Sequence, residues 1–218
     1  MYSFVARQPI LDQHQRPVAY ELLFREGLSN QFPNVSAEHA TTCLIAEQFL
    51  SQPIQQLVGE HACYINFPYS LILNGLADSL PVGQVVIEIL EDAEPDEQLL
   101  ASVIRLKNKG HRLALDDFTL DPRWESFLPY IDIIKFDFRL TSHEEIAAYI
   151  EQHRNSHLIY LAEKVETHQE FLAAQKMGFS LFQGYFFSRP EIVQRKTLSD
   201  SQITVMQLLK EVNSPDLD

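Results

Sequence analysis

Seven short apolar runs in this sequence each end on a residue able to do chemistry. Glu21 follows Val18-Ala19-Tyr20, Asn66 follows Cys63-Tyr64-Ile65, and Glu88 follows Val85-Val86-Ile87. Asp116 and Asp117 follow Leu113-Ala114-Leu115, and Lys135 follows Ile133-Ile134. Glu163 follows Tyr160-Leu161-Ala162, and Gln183 follows Leu181-Phe182. One polar strand end is unremarkable, because it can cap a helix or meet water. Seven argue for a shared face. Gathered in one pocket, Glu21, Glu88, Asp116, Asp117 and Glu163 would repel one another and raise their pKa values unless cations neutralised them. Hard oxygen ligands, the amide of Asn66, and no Cys or His at the strand ends point to Mg²⁺ or Mn²⁺ rather than Zn²⁺. Five acids exceed the needs of one Mg²⁺, so the set has room for two ions. A metal pair activates water and clamps a phosphodiester for in-line attack. Lys135 is suited to stabilise phosphoryl charge or orient that water, and Gln183 to hold a ligand.

A shared face requires elements that point their ends one way. Strands are expected at Ser3–Ala6, Val18–Phe24, Ala62–Phe67, Val85–Leu90, Arg112–Leu115, Ile131–Phe136, Leu158–Ala162 and Ser180–Gln183. Helical periodicity lies between them at Ala37–Leu50, Asp96–Lys109, Glu144–His153 and Gln169–Met177, with Gly110 and Gly178 at two helix stops. Alternation of strand and helix predicts an α/β chain with a mostly parallel sheet. About eight strands predicts a TIM-like (β/α) barrel, whose strands carry the active site on their carboxyl ends. The short polar turn at Asp12–Pro17 suits an antiparallel first pair. A boundary is expected near Pro190–Thr197. It gives a barrel domain over 1–191, then a linker and the amphipathic helix Leu198–Val212 over 192–218.

The composition narrows the function classes. A formal net charge of −13 over 218 residues offers no basic surplus for nucleic acid or an anionic membrane. No apolar run approaches the roughly 20 residues that span a bilayer. Met1–Arg7 has no signal-peptide pattern. Cys43 and Cys63 lack metal-site spacing and a disulfide framework, which suits a reducing cytosol, so a cytoplasmic location is expected. His111, His143, His153, His157 and His168 share no ligand spacing and are expected at the surface. Tyr185, Phe186 and Phe187 can stack on a base, though aromatic residues near a barrel rim are more often core. Asp92 and Glu94 read as a solvated loop.

With these residues in view, the chain resembles the EAL-domain family. Tyr20-Glu21-Leu22-Leu23-Phe24-Arg25 is similar to the EAL signature with leucine for alanine. Ile65-Asn66-Phe67, Glu88-Ile89-Leu90-Glu91, Asp116-Asp117-Phe118 and Ile134-Lys135-Phe136-Asp137 follow in the family's order. So do Ala162-Glu163-Lys164-Val165-Glu166-Thr167 and Gln183-Gly184-Tyr185-Phe186-Phe187-Ser188-Arg189-Pro190, and the opening Arg7-Gln8-Pro9-Ile10 matches as well. Members are cyclic di-GMP phosphodiesterases or their degenerate relatives. The resemblance implies metal ligands at Glu21, Asn66, Glu88, Asp116, Asp117 and Glu163, with catalytic roles at Lys135, Glu163 and Gln183. It implies ligand contacts at Gln8, Arg25, Asp137 and Tyr185, and a supporting role for Glu91 beneath the loop after Asp117.

The departures are as informative. Active members continue the aspartate pair as DDFGTGYSS, a loop that helps couple dimerisation to metal binding. Here Thr119 and Asp121 stand for the glycines and Pro122 enters. The glycine of the family's AEGVE motif is Lys164, expected to pair with Glu163 or Asp117 and lower their need for Mg²⁺. The segment after Arg25 lacks the usual P-x-x-F-I pattern, and Lys135 and Glu163 stand closer in sequence than usual. Glu21-Leu22-Leu23, Ala-Glu-Lys-Val-Glu and the altered loop resemble the branch that joins EAL to an HDOD domain. Leu198–Asn213 resembles the first helix of that domain, and the sequence then reads as a piece of a longer protein. Three functions follow: a metal-dependent phosphodiesterase opening cyclic di-GMP to pGpG, slowly because of its loop; a silent cyclic di-GMP binder signalling through HDOD; and a protein-interaction scaffold. A homodimer fits the first two.

Overall fold

The computed structural model of the chain describes residues 2–25, 35–45 and 54–196. Its first turn is built by Asp12, whose Oδ1 accepts from the N–H groups of His14 and Arg16 at 2.8 and 2.9 Å. Gln15 there adopts a φ of +59°. The turn reverses β1 (Tyr2–Asp12) into β2 (Pro17–Arg25), an antiparallel pair. Every later barrel strand runs parallel to its predecessor: β3 (Ala62–Phe67), β4 (Val85–Ile89), β5 (Arg112–Leu115), β6 (Ile133–Asp137), β7 (Ile159–Glu163) and β8 (Leu181–Phe182). β8 meets β1 antiparallel, and β1 pairs β2, so eight strands close into a mixed barrel. The expected TIM-like fold with an antiparallel first strand is the one present.

Around the barrel lie α1 (Ala37–Ile45), α2 (Gln55–Val58), α3 (Tyr69–Leu73), α4 (Glu97–Asn108), α5 (His143–Gln152) and α6 (His168–Met177). Their ends carry ordinary signals. Asp96 caps α4 by accepting from the Leu99 N–H at 2.8 Å. Thr167 and Glu170 form a reciprocal capping box on α6, and Gly178 stops it at a left-handed φ of +103°. Glu191–Lys196, where no strand is expected from sequence, forms β9 against Tyr2–Arg7 of β1. The predicted helix at Leu198–Val212, and the expected continuation of α1 to Leu50, lie outside the described residues.

The pleat divides the strand residues into two sets. One set faces the helices, where Leu22, Ile65, Ile87, Leu113, Ile134, Phe136, Ala162 and Phe182 build the larger core. The other fills the barrel with Ile10, Ala19, Tyr64, Val86, Ala114, Ile133 and Leu161, against which Leu181 packs. His111 corrects one expectation: it is 1% exposed, not at the surface, and burial lowers its pKa.

Candidate metal and ligand site

The barrel plug determines what lies above it. Two residues beyond each plug residue, the same face of the same strand presents the next side chain. Ala19 leads to Glu21, Tyr64 to Asn66, Val86 to Glu88, Ala114 to Asp116, Ile133 to Lys135, Leu161 to Glu163 and Leu181 to Gln183. β1 runs the opposite way, so its member is Gln8, two residues before Ile10. Eight strands thus contribute one layer of polar side chains at a single barrel end. The strand-end residues named from sequence are brought together there.

Lys135 is the centre of this layer and is fully buried. Its Nζ lies 2.5 Å from Glu88 Oε1, 2.7 Å from Asp116 Oδ1, 3.0 Å from Glu163 Oε1 and 4.0 Å from Glu21 Oε1. Burial opposes the ammonium charge, but Asp116, Glu163, Glu21 and Glu88 outweigh it and hold Lys135 well above the ordinary lysine range. Burial also drives Glu88 and Glu163 well above the usual carboxylate range, with Lys135 pulling the other way. One ammonium cannot balance four carboxylates. The surplus is relieved by protons or by further cations.

Amides fix the Glu21 carboxylate in place. Asn66 Nδ2 donates to Glu21 Oε1 at 3.2 Å, and Gln183 Nε2 donates to Glu21 Oε2 at 2.5 Å and to Gln8 Oε1 at 3.1 Å. Gln8 Nε2 in turn donates to the Ser188 carbonyl at 3.1 Å. Among the site residues, Asn66 Oδ1, both Glu88 oxygens, Asp117 Oδ1, Glu163 Oε2 and Gln183 Oε1 are buried without a hydrogen-bond partner, Glu88 Oε1 being ion-paired with Lys135. Unsatisfied buried acceptors are costly, and a divalent cation satisfies them. Oxygens of Asp116, Asp117 and Glu163 lie within 4.8 Å of one another, which is metal-ligand spacing. The donor set is all oxygen, so it fits a hard divalent ion.

The outer wall belongs to Lys164 and Asp137. Lys164 forms ion pairs with Asp137 and, at 3.5 Å, with Asp117 Oδ2. Of the two partners expected for it, Asp117 is met; Asp137 is the additional one. Asp137, 3% exposed, also accepts from the Arg139 N–H at 2.7 Å. Burial, then Asp116, raise Asp117, with Lys164 opposing. Beside this wall opens a cavity of about 350 Å³, lined by Glu21, Arg25, Arg139, Lys164, Gln183 and Tyr185 among others. Arg25 is 7% exposed, and burial lowers its pKa. The aromatic run divides: Tyr185 is 56% exposed with the Arg189 guanidinium 5.2 Å from its ring, while Phe186 and Phe187 pack on the core. Arg139, ion-paired with Glu166 at the cavity wall, was not singled out from sequence. It follows no apolar run, and its nearest signal is a basic residue just past the Lys135 strand.

The loop after Asp117 is tied down. Asp117 and Leu120 hold positive φ values of 37° and 62°. Asp121 caps a short turn by accepting from the Arg123 N–H at 2.9 Å, and Arg123 bridges to Asp121 and Glu94, each at 2.7 Å. Trp124 and Phe127 are buried, their rings 4.9 Å apart. Glu91 lies exposed on the wall of a small cavity with Asp117, Thr119 and Trp124.

A family model described as EAL domain matches residues 68–190. The chain is 42% identical over 222 residues to cyclic di-GMP phosphodiesterase CdgJ of Vibrio cholerae, covering 100% of this chain and 51% of that protein. It is 41% identical over 218 residues to YuxH of Bacillus subtilis, an uncharacterized protein, covering 98% and 53% respectively. It therefore spans about half the length of the curated relatives it matches. Among solved structures it is similar to Klebsiella pneumoniae BlrP1 in complex with manganese and cyclic di-GMP. The TM-score is 0.70 at 26% identity, covering 88% of this chain and 56% of that one.

Proposed function

The chain belongs to the EAL-domain family, and from that premise we propose that it is a cyclic di-GMP signalling domain which binds this ligand with divalent metal and opens it slowly to pGpG. The observation that carries the reading is the polar layer over the barrel plug, with oxygens of Asn66, Glu88, Asp117 and Glu163 buried and lacking partners. Glu21, Asn66, Glu88, Asp116, Asp117 and Glu163 would hold Mg²⁺ or Mn²⁺. A bound ion of this kind supplies Lewis-acid activation of a phosphodiester and of water. The chain's own residues do the rest. Lys135 holds Glu21, Glu88, Asp116 and Glu163 together against their repulsion. Gln183, which also donates to Gln8, fixes Glu21. Arg25, Arg139 and Lys164 line the cavity with positive charge suited to the ligand phosphates, and Tyr185 offers an exposed ring for a base. In the reaction water adds to one phosphorus, one ring phosphoester bond breaks, and the released sugar oxygen takes a proton.

The slow rate follows from the fixed loop, because misplacing a reacting group by about 1 Å can cost on the order of 100-fold in rate. A silent binder is the second reading, favoured by Lys164 standing on Asp117 and Asp137. The Glu21-Leu22-Leu23 and Ala162–Glu166 motifs, which resemble those of the EAL–HDOD branch, are what supports an HDOD domain as the signalling partner. The test is a turnover assay beside a binding assay on one preparation with Mn²⁺. Tight binding with slow hydrolysis that is lost in Glu21→Gln supports the proposal. Fast hydrolysis defeats the role given to the loop, binding without any product leaves the silent binder, and no binding defeats both.

A further inference from the structure

Resting on that reading of the pocket, we propose that Lys164 is a tethered cation in place of one divalent ion, so that the site binds a single metal ion tightly. The carboxylates form two groups that share Asp116 and Glu163. The inner group adds Glu21 and Glu88 around Lys135, with Asn66 hydrogen-bonded to Glu21. The outer group closes through Asp117, whose oxygen lies within metal-ligand distance of the other two. Asp117 Oδ1 is buried without a partner, while its Oδ2 faces Lys164 Nζ at 3.5 Å. Lys135 is the ammonium of the inner group, and Lys164, where the EAL motif has glycine, adds a second ammonium on the outer one.

The backbone sets where that lysine side chain starts, and Asp137 holds its ammonium. Lys164 has a φ of +53°, a left-handed conformation that a side-chain-bearing residue rarely adopts. The turn is held there from both sides. The Val165 N–H donates to the Gln183 carbonyl at 3.1 Å. Gly184 lies so close that a Cβ on it would sit 2.1 Å from the Val165 carbonyl oxygen. Asp137, 3% exposed and accepting from the Arg139 backbone, anchors the other end of the lysine. A divalent ion entering the outer group would meet this fixed positive charge at close range.

The experiment counts Mn²⁺ bound per chain by titration, reading free Mn²⁺ from its electron paramagnetic resonance signal. Wild type is expected to bind one ion tightly. Lys164→Gly, which also relieves the backbone, should bind two, the second tightened on the order of 100-fold by removal of a like charge at this range. Lys164→Asn, neutral and tolerant of a left-handed backbone, should follow the glycine variant, and Lys164→Arg the wild type. Two tight ions in wild type, or one in all variants, overturns the inference while leaving the proposed function standing. No ion in any variant also overturns it. A parallel titration of wild type with cyclic di-GMP then reports whether the proposed function fails as well.

Discussion

At Lys135 one ammonium is enclosed with four carboxylates and no exposed surface. Removing one member of such a buried set leaves charge uncompensated, at a cost of about 3–5 kcal/mol. Lys135→Met should therefore lower the thermal midpoint in a chelator by roughly 10 °C. Mn²⁺ should raise the variant's midpoint more than the wild type's, because the ion replaces the lost charge. Unchanged melting in chelator would mean that protons alone neutralise the carboxylates. Tyr185 is the opposite case. At 56% exposure it contributes little to the core, so Tyr185→Ala should leave stability unchanged. Stacking on a base is worth about 1–3 kcal/mol, so cyclic di-GMP affinity should fall about tenfold or more by calorimetry. Equal affinity would remove Tyr185 from the ligand site. The inner residues were legible in sequence because each closes an apolar run of one strand. Gln8 came only through resemblance, since β1 runs backwards and puts its site residue before its plug residue. Arg139 was not legible at all: it stands beyond its strand, and only folding brings it and Glu166 to one cavity wall.

Among the elements, β3 and β5 have the bounds expected from sequence, because their hydrophobic residues are continuous and their ends are punctuated. β9 was not legible, since four of the six residues of Glu191–Lys196 are polar and the segment gains its strand character from pairing with β1. The placement of α4 shows what holds an outer element. Its Arg105 and the following Lys109 converge on Asp78 of the short helical turn Leu76–Ser79, at 3.0 and 2.7 Å. Burial alone would raise the Asp78 carboxyl, but the hydrogen bonds from Lys109 and Arg105 outweigh it and hold it below the ordinary aspartate value. A carboxyl with a folded pKa below its unfolded one stabilises above the unfolded value, and that stability is lost as pH falls through the folded value. Asp78→Asn should thus cost about 1 kcal/mol at pH 7, a modest figure because the cations are half exposed. The difference from wild type should narrow as pH falls below about 4. Urea melts at pH 7 and pH 3.5 measure this, and a gap of equal size at both would refute the ion-pair account.

For the whole molecule the sequence carried the architecture, a barrel of about eight strands with one antiparallel pair, because strand–helix alternation and a six-residue polar turn are local signals. It did not carry how the barrel's seam is covered. β1 pairs β2 on one side along Phe4–Leu11. On its other side β8 reaches only Leu11 and Asp12, and β9 covers Tyr2–Arg7. Arg7 ties this seam with an ion pair to Glu191 at 2.9 Å, and its guanidinium lies 5.2 Å from the Tyr20 ring centroid. Without β9, the N–H and C=O groups of residues 2–7 along that edge would be unpaired, and an open edge recruits strands from other molecules. Gln8, one residue further along β1, holds Gln183 and through it Glu21, so fraying at the seam should reach the site. A chain ending at Lys196 should keep the thermal midpoint, association state and cyclic di-GMP affinity of the 218-residue chain. One ending at Pro190 should melt lower, associate with rising concentration and bind cyclic di-GMP more weakly. Calorimetry and light scattering on the two truncated chains decide it. If the shorter chain matches the longer in all three respects, β9 is dispensable and the folding unit ends at Pro190; if it fails as expected, the unit extends to Lys196.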